Sequence, residues 1–262
     1  MLDDLSQIRR YELKYTITDT LATQIKDYIS NICFLDKHVL EGDSGYIVNN
    51  LYFDTADLRF YQDTKFRKLT RYKPRARYYG MKIGDSIWPE IKYRHGNLIW
   101  KNRHCIPVDC WQGLFYPELS NEKTCHVKQQ LDCFDEIIHW YDARPVLHVR
   151  YFREPYVSRL ECYGRITFDY NLAYREIHGS TDLDYQEKDM LYYDDPVTTV
   201  SRQSPVILEI KVETLVPQWT IKMIKKFNLV QRPFSKYCYG IDYIKQYLPS
   251  GRNSIYHSTL QE

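Results

Sequence analysis

Val206-Ile207-Leu208-Glu209-Ile210-Lys211-Val212 is the stretch that decides how this chain folds. Successive side chains of a β-strand point to opposite faces, so Glu209 and Lys211 share one face while Leu208, Ile210 and Val212 share the other. The same acid-x-base spacing recurs at Glu12-Leu13-Lys14 and Glu90-Ile91-Lys92, and Arg71-Tyr72-Lys73-Pro74-Arg75-Ala76-Arg77 repeats cations at that interval. Alternating charge is usually the solvated face of a half-buried antiparallel sheet. Here, however, the flanks are apolar beyond what an exposed strand needs, and the charges mix acid with base. If the apolar faces look outward into a shell of helices, the charged faces line a lumen, and a lumen rich in Lys and Arg suits a polyanion. A carboxylate beside such cations is also what a metal-assisted phosphate site requires.

Composition narrows the class. A chain of 262 residues with 44% hydrophobic content fits one large β-rich domain, expected over residues 1–248, with a disordered tail over 249–262. The formal charge of +2 excludes coating nucleic acid by bulk electrostatics, so any polyanion must be gathered by local clustering. Seven cysteines without a CxxC pair read as reduced thiols rather than zinc ligands. The first residues lack a signal-peptide core and no apolar run reaches membrane-span length, which makes the cytoplasm the default. A membrane protein partner could still hold the chain at a bilayer.

Along the chain, Ile8 to Ile17 alternates as a strand, and Thr18 or Thr20 caps a helix with Leu21, Ile25, Tyr28 and Ile29 as its apolar stripe. Ile47 to Asp54 forms a strand, and Asp54-Thr55 caps a short helix through Asp57 to Tyr61. Residues 71–81, 87–93 and 98–106 make a β-meander with turns at Gly84-Asp85 and Gly96-Asn97. Pro107 to His139 is an insertion with a helical pattern through Val127, Leu131, Phe134 and Ile138. Strands return over 145–153 and 161–169, residues 176–203 read as loop and edge strand, and helices follow over 219–227 and 234–247. The layout is α+β, seven to nine antiparallel strands whose sheet can close on itself. Tyr52 and Phe53 stay open between core and site.

The ordered series Arg10-Tyr-Glu-Leu-Lys14, Leu51-Tyr-Phe-Asp-Thr55, Arg75-Ala-Arg-Tyr-Tyr-Gly80, Glu90-Ile-Lys92, Lys101-Asn-Arg103, Tyr151-Phe-Arg153, Arg165-Ile-Thr-Phe-Asp169, Leu208-Glu-Ile-Lys211 and Phe234-Ser-Lys236 resembles the catalytic domain of the vacuolar transporter chaperone (VTC) family. Those are polyphosphate polymerases within the CYTH-like triphosphate tunnel metalloenzymes. The resemblance spans about residues 9–245. It implies a closed antiparallel eight-stranded β-barrel with flanking helices. It also implies a tunnel that binds ATP and passes out a growing polyphosphate or pyrophosphate chain. Carried over motif by motif, Lys14, Arg75, Arg77, Lys92, Lys101, Arg153, Arg165 and Lys236 would be catalytic cations. Tyr151, Lys211, Ser235 and Arg232 would bind substrate, and Glu209 would hold Mn2+ or Mg2+. At Glu12-x-Lys14 and Glu90-x-Lys92 the lysine carries the function and the glutamate orients it.

Two departures stand out. Arg10 occupies the place of the first superfamily glutamate, which argues against a carboxylate-rich hydrolase site. Pro233 stands where the family commonly has a lysine, and Arg232, one position earlier, is a candidate to substitute for it. A tunnel triphosphatase and a non-catalytic polyphosphate binder are the alternative readings. Phosphoryl transfer to a phosphate acceptor needs no general base, and the eight histidines read as structural.

Overall fold

The computed structural model describes residues 11–193 and 206–247, except 97, 162 and 214. In chain order the elements are β1 (Tyr11–Ile17), α1 (Asp19–Ile29), β2 (Cys33–Leu35), β3 (Tyr46–Asp54), α2 (Arg59–Lys65), β4 (Thr70–Tyr79), β5 (Ser86–His95), β6 (Leu98–Arg103), β7 (Ile106–Pro107), α3 (Glu122–Gln130), α4 (Asp132–Trp140), β8 (Arg144–Ser158), β9 (Gly164–Glu176), β10 (Leu191–Tyr192), β11 (Val206–Val212), α5 (Gln218–Lys226) and α6 (Lys236–Tyr247). The class is α+β, and the strands pair antiparallel.

The hydrogen-bonded order is β1-β11-β9-β8-β3-β4-β5-β6. That path has the eight strands expected, but the expected closure is not part of it. Closing a barrel requires a ladder between first and last strands. β6 is short, largely exposed and pairs only with β5 among the described residues, and β1 pairs only with β11. The chain divides into two compact units, one of Met1–Tyr46, Tyr151–Leu172 and Asp194–Phe234, the other of Ile47–Arg150, Ala173–Tyr193 and Ser235–Glu262.

In the first unit the alternation of β11 sorts the sheet into two faces. Val206, Leu208, Ile210 and Val212 are buried with Tyr15 and Ile17 of β1, Ile166 and Phe168 of β9, and the apolar stripes of α1 and α5 (Ala22, Ile25, Ile29, Trp219, Met223). Each such large side chain contributes about 1.5–3 kcal/mol by leaving water, so a one-residue slip would expose the whole set. Thr18 is the N-cap of α1, its hydroxyl accepting from Leu21 N at 3.2 Å. The strand expected over 145–153 runs on to Ser158, where β8 pairs with β2, a strand the sequence pattern did not announce; the one expected over 161–169 starts later, at Gly164, and runs on to Glu176, pairing with β10.

The second unit repeats the sorting. Leu51, Phe53, Ala76, Tyr78, Ile87 and Ile91 form a core with Phe60 of α2, Phe134 and Ile138 of α4, and Leu131 between the two insertion helices. The short helix starts two residues later than its expected place, because Leu58 takes a left-handed backbone (φ 58°) before it. Its first amides are capped from a distance. Asp54 accepts from Phe60 N and Tyr61 N, both at 2.8 Å, and Thr55 Oγ1 accepts from Arg59 N at 2.9 Å. Tyr237 of α6 donates its hydroxyl to the same fully buried Asp54, so one carboxylate fastens β3, α2 and α6. No described helix is long and apolar enough to cross a membrane. The expected tail, the start of the first strand, Arg10 and residues 194–205 lie outside the described residues.

Candidate functional site

Opposite the helices, the first unit gathers its charge. Register places Glu12, Lys211 and Arg165 on one rung and Lys14, Glu209 and Thr167 on the next. Glu209, only 5% exposed at its side chain, stands 3.5 Å from Lys14 Nζ, 3.4 Å from Lys211 Nζ and 3.5 Å from Arg153 Nη2. Burial works to raise the Glu209 carboxyl, but Lys14, Lys211 and Arg153 outweigh it and hold it well below the usual carboxylate range. Burial likewise depresses Lys14, yet Glu209 and Glu12 raise it overall. Lys14 also meets Glu12 at 3.0 Å, which suits an orienting role for that glutamate.

Arg153 is largely committed inside the protein. Its guanidinium donates to Asp169 in a bidentate pair at 2.6 and 2.8 Å and lies over the Tyr151 ring at 5.2 Å. Arg165 is half exposed, 4.0 Å from Asp36. Arg232 enters through its backbone, donating N–H to the Lys14 carbonyl at 3.2 Å.

The second unit carries a separate cationic face. Tyr52, Arg75, Glu90 and Arg103 lie opposite one another across four strands, and Lys73, Lys92 and Lys101 across three. Glu90 is the hub: 1% exposed at its side chain, it pairs with Arg75, with Lys101 Nζ at 3.1 Å and with Arg103 at 3.9 Å. Burial raises its carboxyl and Arg75, Arg77 and Lys101 more than reverse this, holding it below the usual range. Partial desolvation, with Arg75 and Arg77 nearby, pulls Lys101 down to about 8 despite Glu90. Arg77 is buried and donates Nε to Asn50 Oδ1 at 3.0 Å.

The start of α6 meets this same face. Ser235 Oγ accepts from Lys73 Nζ at 3.0 Å and from Cys238 N at 3.3 Å, so the expected helix begins at Lys236 with Ser235 capping it. Tyr237 stacks on Tyr52, centroids 4.9 Å apart. Tyr52 thus faces the charges while its neighbour Phe53 is core. Lys73 is the residue on this face that motif-by-motif reading passed over; its signal was the Lys-x-Arg-x-Arg interval itself. Glu90 was expected to orient Lys92, and its reach across both neighbouring strands is a wider role than one sequence interval could indicate.

Among the described residues no three His, Cys, Asp or Glu side chains gather into a metal cage. Glu12 and Glu209 nevertheless both meet the Lys14 ammonium, at 3.0 and 3.5 Å. Two carboxylates that share one lysine fit a divalent ion that takes one or two carboxylates and fills its shell with water and substrate phosphates.

A protein from Bacillus halodurans, described as a proposed adenylate cyclase, is similar in structure over 91% of this chain and 96% of its own, with 12% identity and a TM-score of 0.45. A Pyrococcus horikoshii protein is similar over 90% of this chain and 99% of its own, with 12% identity and a TM-score of 0.46. No curated protein sequence matches. The family model described as the VTC domain matches residues 9–245, in which both cationic faces lie. On that match, the chain belongs to the VTC-domain family.

Proposed function

We propose that this protein is a polyphosphate polymerase that transfers the terminal phosphoryl group of ATP to a phosphate chain, with Mn2+ or Mg2+ as cofactor. Family membership supports a polyphosphate- or triphosphate-related function and a phosphoryl-handling enzyme. The observation that carries the finer reading is the rung Lys73–Lys92–Lys101. Like charges directly opposite on a sheet are destabilising, and here three ammonium groups occupy adjacent strands while the reverse face of β4 and β5 is packed core. A polyanion is the ligand that turns that cost into binding.

The reaction balances without a proton shuttle. A terminal oxygen of the chain attacks the γ-phosphorus, the bond from that phosphorus to the β–γ bridging oxygen breaks, and the electron pair leaves with ADP. The acceptor is already an anion, so positioning and charge neutralisation are what the protein must supply. Lys92, Lys101, Arg75 and Lys236 would neutralise phosphate oxygens in the second unit. Lys14, Lys211 and Arg165 would do so in the first, with Tyr151 and Arg232 lining substrate there, Ser235 lining it in the second unit, and Arg153 and Arg77 supporting the two faces from within. A divalent ion held by Glu209, and by Glu12 beside it, would add charge neutralisation at the triphosphate. The carboxylates of both faces are held by cations, which suits these roles better than activating water for hydrolysis.

Incubation of the purified protein with ATP and Mn2+ should give a ladder of polyphosphate on a gel. Orthophosphate without a ladder would identify a triphosphatase instead, and binding without turnover a polyphosphate-binding protein.

A further inference from the structure

The cationic face of the second unit does not end at the lysine rung. One step further along the same strands, Arg71 of β4 lies directly opposite Arg94 of β5. Both are two residues from the lysines of that rung, so both share their face. Where Arg75 faces a glutamate, Arg71 faces a second arginine. Arg67 stands at the turn between α2 and β4 in a left-handed backbone (φ 53°), and Arg94 is drawn toward the adjoining hairpin, donating Nε to the Gly96 carbonyl at 2.8 Å. Burial and the charges of Arg94 and Arg67 together depress Arg71. The sequence offers no local relief: residues 64–84 contain eight Lys or Arg and no acid, and none occurs between Glu90 and Asp109.

Three mutually repelling guanidinium groups in continuity with a lysine rung need an anion more than a solvated sheet end does. Strand rise puts the arginine rung about 7 Å beyond the lysines and about 14 Å beyond Arg75 and Glu90. A triphosphate seated between Arg75 and the lysine rung does not reach the arginines; a longer chain does.

We propose that Arg71, Arg94 and Arg67 form a second phosphate subsite that holds a polyphosphate chain beyond the lysine rung, so that the chain runs along β4 and β5 toward the α2–β4 turn. The proposal rests on the phosphate reading of this face. Its consequence is a preference for chain length, because a ligand bound at both rungs gains from effective concentration at the second. Side chains that merely solvate the end of the sheet would give no such preference.

The test is a pair of titrations, one with inorganic triphosphate and one with long-chain polyphosphate, on the wild type and on the Arg71→Ala/Arg94→Ala double variant. The wild type is expected to bind the long chain about tenfold more tightly than triphosphate. The double variant should lose that preference while binding triphosphate within about twofold of the wild type. Arg71→Lys/Arg94→Lys, which keeps the charges and guards against a folding defect, should keep most of the preference. No triphosphate binding by the wild type would overturn the phosphate reading itself. Triphosphate binding with no gain for the long chain, or a preference that survives in the alanine variant, would overturn this inference alone.

Discussion

Lys101 Nζ lies 3.1 Å from Glu90 Oε2, and that almost fully buried carboxylate is shared with Arg75 and Arg103. One anion therefore holds three cations in place before any substrate arrives. Glu90→Gln should lower stability, by less than the ~3–5 kcal/mol of a fully buried pair because water screens the cations left behind, Lys101 being 45% and Arg103 32% exposed at the side chain. Inorganic triphosphate should then raise the melting temperature more in the variant than in the wild type, since phosphate replaces the missing charge. Thermal melts with and without triphosphate check this. A variant that melts like the wild type would remove Glu90 from its place as hub.

The depressed Lys101 predicts a pH dependence for binding. Its folded value is about 8, below the ordinary lysine value of about 10.4. Between those limits the unfolded chain holds a proton that the folded chain has released, so the Lys101 contribution to stability rises with pH. Anion binding runs the other way, because phosphate favours the ammonium form. Affinity should fall above about pH 8, and binding near pH 8 should take up a proton. Calorimetry in buffers of different ionisation enthalpy measures that uptake, and Lys101→Arg should abolish it.

His148 gives an acid-side prediction. It is buried, its Nε2 is 2.9 Å from Asn49 Oδ1, and burial with Arg175 and Arg150 nearby pushes it down to about 3. Its ordinary value is about 6.5. Between the two, only the unfolded chain takes the proton, so this contribution is complete above about pH 6.5 and is lost as pH falls toward 3. The slope is about 1.4 kcal/mol per pH unit for one proton. Melting temperatures of the wild type and His148→Gln across that range should converge at low pH.

Glu209 sits among Lys14, Lys211 and Arg153, each at 3.4–3.5 Å. Glu209→Gln should leave the circular dichroism spectrum unchanged and make triphosphate binding insensitive to Mn2+, whereas the wild type should bind more tightly with the metal. Titration of triphosphate with and without Mn2+ separates these outcomes. An undiminished metal effect in the variant would place the metal-binding carboxylate elsewhere.

What could be read from the sequence followed from periodicity. Val206–Val212 and the meander strands alternate cleanly, so their two faces, the helix-packed one and the charged one, were legible residue by residue. The helical insertion was legible for the same reason, and the α1 cap was narrowed to two threonines, of which Thr18 is the one used. Relations set by pairing were not. Only register reveals that Lys73, Lys92 and Lys101 line up, that Glu90 reaches Arg103, and that β2 extends β8. Leu58 in a left-handed turn delays α2, which propensity at a leucine does not announce. The arginines of the second cluster went unassigned because each, taken alone, is an ordinary strand-end cation.

In a polyphosphate polymerase the terminal phosphoryl group of ATP becomes part of a polymer. The direct test is to supply ATP labelled at the γ-phosphorus and, in parallel, at the α-phosphorus, with Mn2+ and the purified protein, and to follow label in the polymer beside ADP released. γ-Label alone should enter the polymer, one phosphate for each ADP formed. Release of the γ-label as orthophosphate, with none in polymer, would contradict it.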